Sequence, residues 1–176
     1  MKILHRALIM LAVAVWLGGL IFFPFVAQSA FSAPISREAA GLIVRSSLTE
    51  LHWLGLGSGL LLLVLIGVGL IRKMSPRTVF PALCLVVLML ALTSFSQFVV
   101  IPRMEAYRVA AGGSISVRAD RDSNRVAFER LHHLSVDIEG GVLGAGLLLV
   151  LALAWADAGP SRARAAERVE QSRRVE

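Results

Sequence analysis

The chain has 176 residues, 56% of them hydrophobic and 17% charged, with a mean hydropathy of +0.73 and a formal net charge of +6. It is too apolar for a soluble domain of this length, and its basic residues lie between and after the apolar runs, not in a stripe interleaved with aromatics, which excludes a nucleic-acid partner. Cys84 is the only cysteine, so neither an intrachain disulfide nor a cysteine-based metal site is available.

A helix needs roughly 20 apolar residues to cross about 30 Å of hydrocarbon. The first such run, Ala7 to Ala27, follows Lys2 and Arg6 and contains no charged residue. It predicts a helix over residues 4–27 that enters from the cytoplasm and is retained, because it exceeds the apolar region of about 7 to 15 residues usual in a signal peptide. A cleaved signal is the competing reading, with Ala27, Ser29, Ala30 and Ala33 as its small residues. Pro24 either kinks this helix or finishes it.

Pro34 then breaks the chain, and Ser36 is placed to cap a new helix with Glu38 in its first turn. An amphipathic lead-in, Arg37 to Glu50, runs into the apolar stretch Leu51 to Ile71, giving a second helix over 36–71. Gly55 and Gly59 form a small-residue packing face on it. Arg72, Lys73 and Arg77 follow without an acid between them, which marks a cytoplasmic connection.

The third helix, 78–101, runs from Thr78 to Ile101, carries Thr93, Ser94, Ser96 and Gln97 toward its far end, and is ended by Pro102 and Arg103. A polar connection follows, with turn chemistry at Gly112, Gly113, Asp120 and Asp122. The last helix, 128–156, crosses between Leu131 and Ala156, and a charged tail, 157–176, is given no fold.

The expected fold is all-α: a four-helix transmembrane bundle over residues 1–156 in the plasma (inner) membrane, with both termini cytoplasmic. That orientation puts ten of the 18 Lys and Arg inside. The lipid bilayer is the expected surrounding, and the glycine faces, including Gly140 and Gly144 on the last helix, offer packing or self-association.

Threading this topology gathers the unusual polar groups at the outer face: Gln28, Glu50, His52, Ser96, Gln97, His132, His133, Asp137 and Glu139. On the last helix His133 and Asp137 are one turn apart, and His132 and Glu139 two turns apart. Such pairs can bind a metal, gate a proton or hold a polar ligand. An acid at the membrane centre costs about 2.5 to 3.5 kcal/mol on the insertion scale, so Asp137 and Glu139 must either lie near the interface or face partners inside the bundle. The bland readings are interfacial histidines at 132 and 133, an interfacial His52 beside the anchor Trp53, and a flanking His5 next to Arg6. Met10, Met89 and Cys84 read as core.

The sequence resembles the transmembrane protein 205-like family of four-helix membrane proteins of unknown function, over Leu4 to Trp155. The similarity is carried by Trp16 and the glycines after it, Phe31, His52, Pro102, Arg103, and the group Phe128, Arg130, His132, Leu134 and Ser135. The resemblance implies a role for His132, with His133 an addition and Glu139 a departure from relatives that carry an amide nearby. It also implies a transport or trafficking role, since eukaryotic relatives are linked to the handling of toxic metal drugs. A more distant similarity, to the copper resistance protein D-like group, rests on His5, Trp16, Gly18 and Gly19 and implies haem b as cofactor.

The favoured expectation is a non-enzymatic membrane protein that binds or helps to move a small polar ligand or divalent metal ion in an outward-facing recess. His132 and Glu139 lead, supported by His133, Asp137, His52 and Gln97. The alternatives are a haem b oxidoreductase using His5 and a structural or interaction protein.

Overall fold

Punctuation in the chain sets where its helices begin and end. Residues 2–71, 76–113, 115, 119 and 121–175 have a described backbone in the computed structural model, and side chains are described at 3–68, 79–113, 115, 119 and 121–155. The helices are α1 (Lys2–Ser32), α2 (Arg37–Ile71), α3 (Pro76–Phe95), α4 (Ile101–Ala110) and α5 (Ser123–Val175). Pro24 lies inside α1, which runs on past it to Ser32 instead of finishing at Ala27. Pro34 follows the end of α1, and the Ser36 hydroxyl accepts from Ala39 N at 3.2 Å, the cap the sequence predicts for α2.

The third rod corrects an expected boundary. Pro102 does not end it: one π-helical turn, Ser96–Val100, joins α3 to α4, with Ile101 N donating to Ser96 O. Proline has no N–H to offer the carbonyl one turn earlier, and a wide turn just before it absorbs that loss while the rod continues. The extra residue rotates everything after it by about 100° relative to an unbroken helix.

The true stop is at the glycines. Gly113 N donates to Arg108 O and Gly112 N to Val109 O, both at 2.9 Å, the paired bonds of a Schellman end. Gly112 and Gly113 hold φ of 83° and 89°, where a side chain is strained.

Asp122 opens α5, its Oδ1 accepting from Asn124 N at 2.9 Å and Arg125 N at 3.2 Å. Replacing Asp122 by alanine should cost about 1 kcal/mol and speed amide exchange at residues 124–126, the check being hydrogen exchange read by mass spectrometry. α5 thus starts before the expected 128 and its backbone continues through the tail to Val175; the tail's side chains, Arg72, Lys73 and Asp120 lie outside the described residues.

Among the described residues four segments are long and apolar enough to cross a membrane: Ile3–Ser32, Arg37–Val68, Val79–Ala110 and Ser123–Trp155. This is a multi-pass membrane protein, and the all-α expectation holds. The rods alternate in direction, α1 packing on α2, α2 on α3, and the third rod on α5, which closes back on α1. The core repeats at three- and four-residue spacing on each rod: Val13, Trp16, Leu17 and Leu20 on α1, Leu62 and Ile66 on α2, Val86 and Met89 on α3, Val142 and Leu149 on α5. The opposite faces, with Phe22, Leu60, Val64 and Leu151, are left to lipid. Cys84 and Met10 fall on those exposed faces, contrary to the expectation of core, and Met89 alone of the three is buried.

Trp16 is the keystone, only 1% exposed. Its indole lies over Gly55 and Gly59 of α2, as the small-residue face predicts, leaving no room there for a side chain. On α5 no described residue lies within 4 Å of a β-carbon built at Gly140 or Gly144, and the close approach within the chain is instead at Gly146, beneath Leu17 and Met89.

Candidate functional site

His52 follows the buried stripe of α2, one turn before Gly55 and in step with Gly59, Leu62 and Ile66, and is 1% exposed. His52 is thus turned into the bundle and is not a surface residue beside the anchor Trp53. Trp53 itself is outward, edge-on to Phe98 with ring centroids 6.0 Å apart, while its neighbour turns into the bundle.

Both ring nitrogens of His52 are engaged. Nδ1–H donates to Gln97 Oε1 at 2.8 Å, and Nε2 lies 2.6 Å from Glu139 Oε1. The sequence separations are 45 and 87 residues, so three rods meet at one imidazole. With Nδ1 donating, a single proton lies between Nε2 and Glu139: an imidazolium donates to a carboxylate, or a carboxylic acid donates to a neutral ring. Either arrangement leaves the pair without net charge, which is how the bundle escapes the cost of an isolated acid in lipid. Glu139 Oε2 and the nearby Ser96 Oγ are buried without a partner among the described residues.

Glu139 also forms part of the wall of a cavity of about 790 Å³ between α1, α2, α4 and α5. On α5 the wall runs from Arg125 to Leu143, about 27 Å of rise. His132, Ser135 and Glu139 make a polar line along it, at spacings of three and four. Leu20, Phe23 and Ala27 of α1, Val44 and Leu48 of α2, and Ile101 and Met104 face them. The surface is mostly apolar.

The end of the cavity where α1 finishes and α5 begins is charged. Arg45 of α2 reaches Glu105 of α4 at 2.7 Å, and Arg108 grips the same carboxylate through Nε at 2.8 Å and Nη2 at 2.7 Å while its Nη1 donates to Gly113 O. Arg45 is 40% exposed, so its pair contributes only about 0.2 to 1 kcal/mol. Arg45→Gln should accordingly leave the melting temperature in detergent within a few degrees of the parent, a difference that added salt shrinks further.

The expected outer-face cluster therefore divides. His52, Gln97 and Glu139 come together, Ser96 is buried near them, and His132 lines the cavity stacked on Phe128 at 6.5 Å. His133 and Asp137 are exposed and outside the cavity lining, as are Gln28 and Glu50. His5 lies near the start of α1, at the other end of the bundle. Among the described residues no three His, Cys, Asp or Glu side chains are grouped to share a metal ion.

The groups that sequence reading did not place at the site are Arg45, Glu105 and Arg108, and Ser135 entered it only through the family resemblance. Only the wide turn brings Glu105 and Arg108 to the cavity, and a sequence read as ending its helix at Pro102 carries no signal for them. Ser135 was legible: it shares a face with Ile138, Val142 and Leu149.

A family profile described as Domain of unknown function (DUF4149) matches residues 11–112. The chain belongs to this family. The DUF4149 match takes in Trp16, His52, Gln97 and the Arg45–Glu105–Arg108 group, and stops before α5 with Ser135 and Glu139. Comparison with curated proteins gives no match, and comparison with solved structures gives none.

Proposed function

We propose that this DUF4149 chain is a ligand-binding membrane protein, not an enzyme, and that its cavity holds a small amphiphile drawn from the bilayer. The observation that carries this reading is Glu139 Oε2, a buried acceptor without a partner among the described residues, on a side chain that lines a mostly apolar cavity. An orphan of this kind costs about 1 to 3 kcal/mol, which a ligand hydroxyl or N–H placed against it recovers. The volume, about 790 Å³, sits within the roughly 300 to 1,000 Å³ of small-molecule sites. Apolar walls favour an amphiphile over the small polar ligand or metal ion that His132 and Glu139 suggest by spacing alone. The His52–Glu139 pair keeps the acceptor in place, and Ser135 and His132 extend the polar line.

The resemblance to the transmembrane protein 205-like family fits this reading. Of the residues that carry it, Trp16, His52 and Ser135 are buried, and Phe31, Phe128 and His132 line the cavity. The positive-inside count puts the cavity on the outer side, with both termini cytoplasmic. In a Cys84→Ser background, a cysteine introduced at Ala119 then reacts with a membrane-impermeant maleimide added to intact cells. Protection until the cells are broken reverses the orientation.

The binding reading is tested by purifying the chain from its native membranes in mild detergent and extracting it for mass spectrometry. The parent chain is expected to carry one amphiphile at near-stoichiometric amount. A β-carbon at Gly41 or Gly140 meets no atom within 4 Å, and both glycines line the cavity, so Gly41→Leu and Gly140→Leu add bulk to it from positions with room for a side chain to start. Both should purify empty. The same extract from all three proteins rules the cavity out.

A further inference from the structure

Two polar rungs join α2 to the third rod. The deeper one is His52 on Gln97 at 2.8 Å, and the other is Arg45 on Glu105 at 2.7 Å. Arg45 precedes His52 by seven residues and Glu105 follows Gln97 by eight, so the rungs stand about 10 to 12 Å apart along the cavity. Each has unused hydrogen-bonding capacity on a residue that lines the cavity. At the deeper rung it is an acceptor, Glu139 Oε2.

At the other rung it is a donor. Arg108 occupies both oxygens of Glu105, and Arg45 adds one nitrogen to Oε2, leaving Arg45 most of its five N–H groups. Two guanidiniums on one carboxylate leave a surplus positive charge. The other charged groups lining that end, Arg37, Glu38, Arg125 and Glu129, balance one another. The surplus therefore complements an anion.

The cavity also opens sideways. α1 and α5 make less contact than α1 with α2, α2 with α3, or α3 with α5. Phe31 of α1 and Val136 of α5 line the cavity and are 57% and 56% exposed.

Taking the cavity as the amphiphile site proposed above, we infer that its ligand is a single-chain amphiphile with an acidic head. Arg45 holds the head, and a hydroxyl or N–H about 10 Å further along the chain donates to Glu139 Oε2. The apolar remainder lies against α1 and Leu48. The ligand arrives from the leaflet through the seam between α1 and α5.

Four probes measured on the full-length chain in nonionic detergent test this assignment: a hydroxystearate with its hydroxyl in mid-chain, its methyl ester, plain stearate, and the corresponding hydroxystearyl phosphate. Both acids with the hydroxyl are expected to bind one per chain, the tighter one identifying carboxylate or phosphate as the natural head. The ester should bind roughly tenfold more weakly or worse, as should stearate, since each lacks one bond to a charged group. Arg45→Gln should reduce the acids to the affinity of the ester and leave the ester unchanged. Glu139→Leu should erase the advantage of hydroxystearate over stearate.

Equal binding of acid and ester, or an acid preference that survives Arg45→Gln, overturns the acidic head. Equal binding of hydroxystearate and stearate by the parent chain overturns the second anchor. Gly140→Leu and Gly41→Leu separate these failures from that of the cavity itself: acid binding that both variants retain lies elsewhere and overturns the inference together with the reading beneath it.

Discussion

Replacing His52 by alanine is expected to destabilise the folded bundle by about 3 to 5 kcal/mol, the cost of leaving one member of a buried ionisable pair alone. Glu139 would lose the partner at 2.6 Å that offsets its burial, and Gln97 would lose its donor at 2.8 Å. Gln97→Leu should cost far less. Hydrogen bonds between membrane helices average about 0.6 kcal/mol and reach about 1.7 kcal/mol, because a chain unfolded within the membrane also finds partners. The ratio between the two variants therefore separates an ionisable pair from an ordinary polar contact.

The double variant His52→Leu with Glu139→Leu sharpens the test. Buried ion pairs replaced by apolar residues of similar volume are often neutral or stabilising, so this variant should regain most of the loss while binding no amphiphile through Glu139. Equilibrium unfolding by SDS in mixed micelles gives all three values. A His52→Ala chain no weaker than Gln97→Leu would mean that the pair shares no proton of consequence to the fold.

The second large effect centres on Trp16. Trp16→Ala removes the largest buried side chain from the seam between α1 and α2, and should cost about 3 kcal/mol, the low end for tryptophan, because lipid supplies no hydrophobic transfer term and only packing is lost. Gly55→Leu should be as damaging for the opposite reason. Its side chain would enter the space of the indole, and α1 would have to move away.

Together the two changes should cost less than their sum, since the cavity left by one receives the methyl groups of the other. Residues in contact couple by about 0.5 to 3 kcal/mol. Strict additivity would show that the two positions do not share the seam. The same contact revises the idea of self-association through Gly55: that glycine is already covered within the chain, whereas Gly144 is open on the outside. Leucine at Gly55 would act on folding before it acted on any partner.

Membrane crossing was legible in the chain because it depends on local quantities. Length, apolar composition and the absence of charge within each run are enough to require four rods. Caps and stops were legible where short-range chemistry decides them: Ser36 at the start of α2, and Gly112 and Gly113, whose positive φ ends α4. Gly55 and Gly59 were readable as a packing face because their spacing states which side of a helix can be approached closely.

The candidate site was half legible. A topology of four alternating rods brings residues 52, 97 and 139 to comparable depth, and from that alone their meeting was expected. Which polar groups would turn inward was not, because it depends on the rotation of each rod about its own axis. Asp137 and Glu139 differ by two positions, about 200° around a helix, and packing with the neighbouring rods makes the first exposed and the second a partner of His52. His132 and His133 divide in the same way, one lining the cavity and one outside it.

By itself, then, the sequence determined a four-rod, all-helical membrane protein with its uncommon polar residues near one end, because burial in lipid penalises charge and unpaired backbone wherever they fall. Only the tertiary structure decided that His52 is central, that the third rod passes Pro102 through a wide turn, and that Arg45, Glu105 and Arg108 stand over an apolar cavity. These outcomes follow from the relative rotation and register of helices far apart in the chain. No local pattern carries that information, since it is fixed by how Trp16, Leu17 and Met89 fill the spaces left by Gly55, Gly59 and Gly146.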